Sequence, residues 1–269
     1  MRFSDRELER YGRQIVLPEI GGVGQERLRA STVLLVGAGG LGAPAACYLV
    51  AAGVGRLVLV DDDTVSLANL HRQILYTTAE VGRRKVEAAR ERLGALNPEV
   101  TIDIHPVRLD ARNAAAFCGE VDLVLDGSDS FATRAAVAAA AARTRRPLVS
   151  GSVQGFEGQL TLFAPFSRPD APCFRCLFPD DPPADALPSC AMGGILGPVA
   201  GQIGTMMTTE ALKWLLGFEA TLVGRLLLVD AIAARVDHIR LCRRADCGDA
   251  GHDATTRDDM PASPVSPLA

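Results

Sequence analysis

The segment Gly37-Ala38-Gly39-Gly40-Leu41-Gly42 has the spacing of a phosphate-binding turn. Glycines let a backbone bend sharply and approach an anion, and where such a turn opens a helix its amides lie at the positive end of the dipole. Asp61 follows about 20 residues later, where an acidic side chain reaches a ribose hydroxyl. These features point to a nucleotide without separating NAD from ATP. What separates them is the string Asp61-Asp62-Asp63-Thr64-Val65-Ser66-Leu67-Ala68-Asn69-Leu70-His71-Arg72-Gln73, with Lys85 beyond it. A dinucleotide pyrophosphate carries about two charges, met largely by backbone amides, whereas ATP carries about four and calls for cations. Arg72 and Lys85 can supply them. Asp129, in Asp126-Gly127-Ser128-Asp129-Ser130, would repel a triphosphate unless Mg²⁺ intervenes; the alternative is that it caps the helix starting near Phe131. Cys173-Phe174-Arg175-Cys176 has metal-knuckle spacing, and Cys247 could approach it to build a tetrahedral zinc site.

Elements must position these residues, and the hydropathy pattern supplies them. Thr32 to Val36 is a β-branched run that breaks at the glycines, Leu41 to Val54 follows at helical density, and Arg56 to Val60 is an uninterrupted apolar strand ending in Asp61. Strands apolar on both faces belong to a buried parallel sheet, so residues 32 to 61 read as a βαβ unit. Helix signals run from Val81 to Leu96 and stop at Asn97-Pro98; strands are expected over 100–105, 121–125 and 147–150, and an alanine-rich helix over 133–143. Beyond Gly151 the alternation fails: Gln159 to Phe163 and Arg225 to Asp230 read as strands without crossovers, and Leu196 to Leu216 as a helix whose Gly197 and Gly201, with Gly204 close by, would allow close approach of another helix. The expected fold is α/β, a Rossmann-like doubly wound, mostly parallel sheet with a C-terminal antiparallel extension. Residues 1–30 read as a helical appendage outside the core, 31–248 as an ATP-binding domain, and 249–269 as a disordered tail.

Composition narrows the classes. The 269 residues are 48% apolar and 22% charged, which excludes disorder throughout. With 28 Lys and Arg against 32 Asp and Glu the net charge is -4, so no global basic field gathers nucleic acid or anionic lipid. The odd count of seven Cys and the absence of an apolar signal core near Met1 lead to the expectation of a reducing cytoplasm. Ser189 to Thr209 is uncharged, yet its five Gly, Pro198 and Gln202 make it a poor membrane span, so no membrane partner is expected.

The chain resembles the ThiF/MoeB/HesA-type E1-like adenylyltransferases over about residues 4 to 250. The resemblance rests on Tyr11-Gly12-Arg13-Gln14-Ile15, the glycine turn, the Asp61 to Gln73 string, Lys85, Ser128-Asp129, Ser189-Cys190-Ala191 and the Gly224 to Asp230 stretch, in this order and spacing. It implies adenylation of the C-terminal glycine of a ubiquitin-like sulfur-carrier protein with a Gly-Gly terminus, by a homodimer using ATP and Mg²⁺. Asp61 would hold the ribose, Asn69, Arg72, Gln73 and Lys85 the phosphates, and Asp129 the magnesium. Arg13 would reach the γ-phosphate in a partner subunit. Cys190 matches a cysteine that some relatives use to take the carrier as a thioester or acyl disulfide. The family pattern also expects two Cys pairs for Zn²⁺, but Ala250 stands where the fourth thiolate belongs; Cys242 or His252 could compensate, or the metal is lost and packing holds the loop. No fused rhodanese-type region is expected, so sulfur would come from a separate sulfurtransferase. Molybdopterin synthesis is preferred over thiamine synthesis. The competing readings are an NAD-binding oxidoreductase, opposed by Arg72, Lys85, Asp129 and the lack of a Tyr-x-x-x-Lys pair, and a non-catalytic E1-like scaffold.

Overall fold

The computed structural model describes residues 3–181, 194–248 and 252. Eight strands form one sheet in the order β3-β2-β1-β4-β5-β6-β7-β8. β1 (Thr32–Val36), β2 (Arg56–Val60), β3 (Thr101–His105), β4 (Leu123–Asp126) and β5 (Leu148–Gln154) are mutually parallel where they pair. β6 (Glu157–Phe163), β7 (Arg225–Asp230) and β8 (Arg235–Arg240) extend the sheet antiparallel. The doubly wound sheet with an antiparallel extension is therefore present as expected.

The uninterrupted apolar strands arise because both faces are covered. Val33, Leu35, Leu57 and Leu59 face α3 (Gly42–Ala51), α4 (Lys85–Leu96) and the long α8 (Gly197–Leu216), while Leu34, Val36, Val58 and Val60 face α5 (Ala114–Gly119) and α6 (Phe131–Arg143). Neighbouring strand residues point to opposite faces, and each fully buried Leu or Val stabilises the fold by about 1.5–3 kcal/mol. A further short helix, α7 (Phe174–Leu177), follows β6 and packs Phe174 against Phe131 and Phe163, with ring centroids 5.6 and 5.8 Å apart.

The structure corrects several expectations. The N-terminal helices α1 (Asp5–Ile15) and α2 (Gly21–Ala30) do not stand outside the core: Tyr11, Gln25 and Leu28 are buried. Asn97 Nδ2 donates to Tyr11 Oη and to the Val50 carbonyl, both at 2.8 Å, and the amides of Gln14 and Gln25 both reach the Ala52 carbonyl. Part of this docking is polar, through the ends of α3 and α4, so a search for apolar periodicity undervalues it. α4 starts at Lys85 rather than Val81; residues 81–84 are held as a loop by Val65, whose carbonyl accepts from Gly82 and whose amide donates to Arg83. In α8 the close approach falls on Gly197 and Gly204, where a Cβ would collide with the His71 and Leu41 carbonyls, whereas Gly201 faces open space. β8, the strand that holds His238, closes the sheet; its six residues are all exposed and its Arg and Asp side chains suit an unpaired sheet edge. Among the described residues no helix is long and apolar enough to cross a membrane.

Candidate functional site

Strand order reverses between β1 and β4, where crossovers leave in opposite directions and open a crevice at the carboxyl ends of the strands. A cleft of about 190 Å³ occupies this crevice. Gly37, Gly39 and Gly40 form one wall, Asp61, Asn69 and Arg72 another, and Gln73, Lys85 and Asp129 also line it. The sequence-expected nucleotide residues thus converge, with Gly42 just behind the turn as the first residue of α3.

The turn has the shape its glycines permit. Gly37 has φ +88, a region that side chains disfavour, and a Cβ on Gly42 would collide with the Gly37 carbonyl. Asp61 braces the same turn: its Oδ2 accepts from the Ala38 amide at 2.7 Å and its Oδ1 from the Asp63 amide at 2.8 Å. Burial raises the Asp61 pKa, and Lys85 and these amides oppose that shift. Expected as a ribose partner, Asp61 is also the residue that sets the turn.

Lys85, at the first position of α4, has a side chain only 4% exposed, and its Nζ donates to Asp63 Oδ2 at 2.9 Å. Arg72 is half-buried and its Nη1 donates to the Ala68 carbonyl at 3.3 Å, which holds the guanidinium on the turn formed by Leu67–Asn69. Gln73 Oε1 and Ser128 Oγ are buried at the cleft without a hydrogen-bond partner. Unpartnered buried polar atoms are costly, so both atoms suit a wall that binds a polar ligand. Asp129 is not the helix cap: Ser130 caps α6 by accepting from the Thr133 amide, which leaves the exposed Asp129 on the cleft wall.

Sequence reasoning passed over Arg134. Its Nε and Nη2 donate to the Ser128 carbonyl at 2.9 and 2.7 Å, fixing the loop that carries Asp129. The signal available was position: one turn into a helix that follows a strand ending at the crevice. Val107 and Arg108, in the loop after β3, also line the cleft, and Arg108 pairs with Asp62 at 3.2 Å. The rule that ligands sit at the carboxyl ends of parallel strands pointed to this loop too.

Other expected residues lie elsewhere. Arg13 is exposed on α1, which docks on the ends of α3 and α4 away from the cleft of its own chain. Cys190 and Ala250 lie outside the described residues. Cys47 is half-buried and Cys118 buried; burial raises both thiol pKa values, Cys118 to about 12, which suits core residues rather than nucleophiles. His105 packs edge-on against Phe117 with centroids 4.9 Å apart.

A second cluster forms around α7. Cys173 Sγ is 3.8 Å from Cys176 Sγ and 3.6 Å from Cys247 Sγ, and Cys176 Sγ is 3.3 Å from His252 Nε2. The four ligand atoms all lie within 4.8 Å of one another, a cluster that could hold a metal ion. Of the two substitutes weighed for the fourth position, Cys242 is exposed beyond the end of β8, and His252 is the one in the cluster. Although it falls in the segment read as a disordered tail, His252 is buried.

A sulfur carrier protein adenylyltransferase from Thermus thermophilus is 46% identical over 260 residues, covering 96% of this chain and 96% of that protein. MOCS3 of Culex quinquefasciatus, named an adenylyltransferase and sulfurtransferase, is 42% identical over 91% of this chain, which spans only 56% of MOCS3. The crystal structure of MccB from E. coli with MccA-N7isoASN has the same fold, with a TM-score of 0.77 at 19% identity over 89% of this chain and 74% of that one. The ThiF family pattern matches residues 11–249, a span that takes in both the cleft and most of the cysteine cluster. The chain therefore belongs to the ThiF family of E1-like adenylyltransferases.

Proposed function

We propose that this chain uses ATP to adenylate the C-terminal glycine carboxylate of a ubiquitin-like sulfur-carrier protein, releasing pyrophosphate. The observation that carries the proposal is the convergence of buried Lys85 with Arg72, Gln73 and Asp129 on one cleft beside the glycine turn. A terminal carboxylate has a pKa of about 3.5 and is already an ionised nucleophile at neutral pH, so no general base is needed. Its oxygen attacks the α-phosphorus, the bond from that phosphorus to the bridging oxygen breaks, and pyrophosphate leaves with the electron pair.

The difficulty is bringing one anion to another. Lys85 and Arg72 supply fixed positive charge in a partly buried crevice, where it acts more strongly than in water. The amides of the glycine turn and Gln73 add uncharged contacts, and Asp61 presents its carboxylate toward the ribose. Asp129 would hold Mg²⁺, which when bound screens the phosphate charge. Arg134 keeps the Asp129 loop in place. Arg13, distant from its own cleft, would act in the cleft of a second subunit, so the proposed working form is a homodimer. The name of the Thermus thermophilus relative supports a sulfur carrier as substrate. The Asp61 to Gln73 string favours the molybdopterin branch over the thiamine branch.

Incubation with ATP, Mg²⁺ and purified carriers from both branches tests this by intact mass spectrometry. One carrier is expected to gain an adenylate and to stay unmodified when its last glycine is removed. An unmodified mass for both carriers, in an enzyme that still binds ATP, contradicts the proposal.

A further inference from the structure

We infer that Cys173, Cys176, Cys247 and His252 form a closed Cys3His zinc site in which His252 takes the place that Ala250 cannot fill. A tetrahedral Zn²⁺ with Zn–S of about 2.3 Å and Zn–N of about 2.0–2.1 Å holds its sulfurs about 3.8 Å apart and its sulfur and nitrogen about 3.5 Å apart. The separations here are 3.8 and 3.6 Å between sulfurs and 3.3 Å from sulfur to Nε2. These sulfurs are far beyond the bond length of a disulfide, about 2.0 Å, so the thiols converge without being joined.

A second, independent feature points to a bound cation. The backbone amide of Arg244 donates to Cys176 Sγ at 3.4 Å. Hydrogen bonds of this kind orient a ligating sulfur and stabilise its negative charge. Spacing explains why sequence alone left the fourth ligand open: a thiolate at position 250 would sit three residues beyond Cys247, whereas His252 sits five beyond and has a longer side chain that carries its nitrogen to the cluster.

The site has a structural use. With four protein ligands no position is open for substrate. It ties Cys247 and His252 to α7, whose Phe174 packs on Phe131 at 5.6 Å, and Phe131 opens α6 directly after the Asp129 loop.

The test is zinc content of the full chain purified without chelator, followed by zinc release to a chromophoric chelator. Wild type and Cys242→Ser are expected to carry one zinc per chain with equal retention. His252→Ala should release zinc at least about 10-fold more readily. His252→Cys should restore retention and, after replacement by Co²⁺, strengthen the sulfur-to-metal charge-transfer absorption relative to wild type. The inference is overturned by wild type without zinc, by His252→Ala with wild-type retention, or by loss of zinc from Cys242→Ser. Should His252→Ala fail to fold, unchanged charge-transfer intensity in Co²⁺-loaded His252→Cys overturns it equally.

Discussion

At the cleft, the proposed function gives single residues separable tasks. If Lys85 and Arg72 meet charge that develops on the phosphates, replacing either with Ala should lower the rate of adenylate formation by about 10² to 10³ while leaving the fold intact. Rapid-quench measurement of acyl-adenylate formation checks this, and a change in KM alone would mean that the two cations only bind ATP. Asp126, completely buried beneath the Ser128-Asp129 loop, behaves differently. Its Oδ1 accepts from the Ser128 amide at 3.0 Å while Oδ2 has no partner, and burial raises its pKa despite Arg134 nearby. An acid whose folded pKa lies above its unfolded value contributes stability below the unfolded pKa and loses it as pH rises through the folded one. Asp126→Asn should therefore gain stability relative to wild type as pH rises out of the carboxylate range, and the gap should close in acid. Thermal unfolding at a series of pH values reads this directly; a gap that widens in acid would reverse the sign. Among single residues, Asp61 was legible because an acid that ends an apolar strand stands out, and Arg72, Lys85 and Asp129 because a triphosphate with its metal calls for cations and a carboxylate. Arg134 was not, because its partner is a backbone carbonyl, which no residue type reveals.

Among the elements, those built on uninterrupted apolar runs were legible. β1 and β2 read directly from Thr32–Val36 and Arg56–Val60, since burial on both faces removes polar residues. β8 gave a weaker signal, because its edge position tolerates charge on every side. The docking of α1 and α2 was hidden by its polar contacts. Asn97 is the keystone there: its amide satisfies Tyr11 Oη and the Val50 carbonyl within a buried environment. Asn97→Ala should cost about 1–3 kcal/mol by leaving these groups without partners. Urea unfolding measures it, and an unchanged midpoint would mean that α1 is held by other contacts. The glycine turn makes the complementary point: Gly37 and Gly42 announced the element because their backbone positions exclude a side chain.

For the whole molecule, the position of Arg13 sets the condition. Lying away from the cleft of its own chain, it can meet a nucleotide only in a second copy. Arg13→Ala and Asp129→Ala chains, each inactive alone, should then complement when mixed. Each mixed dimer combines one intact Arg13 with one intact Asp129 in the same site, giving about a quarter of wild-type activity after random exchange. Absence of recovery, with mixed dimers confirmed by mass, would remove the trans role. The most direct test of adenylation itself is carrier-dependent exchange of labelled pyrophosphate into ATP with Mg²⁺. Exchange is predicted with a Gly-Gly-tailed carrier, lost with Asp129→Ala and lost when the carrier's terminal carboxylate is amidated. Equal exchange with the amidated carrier, or none with any free-carboxylate carrier of the molybdopterin or thiamine branch, would contradict it.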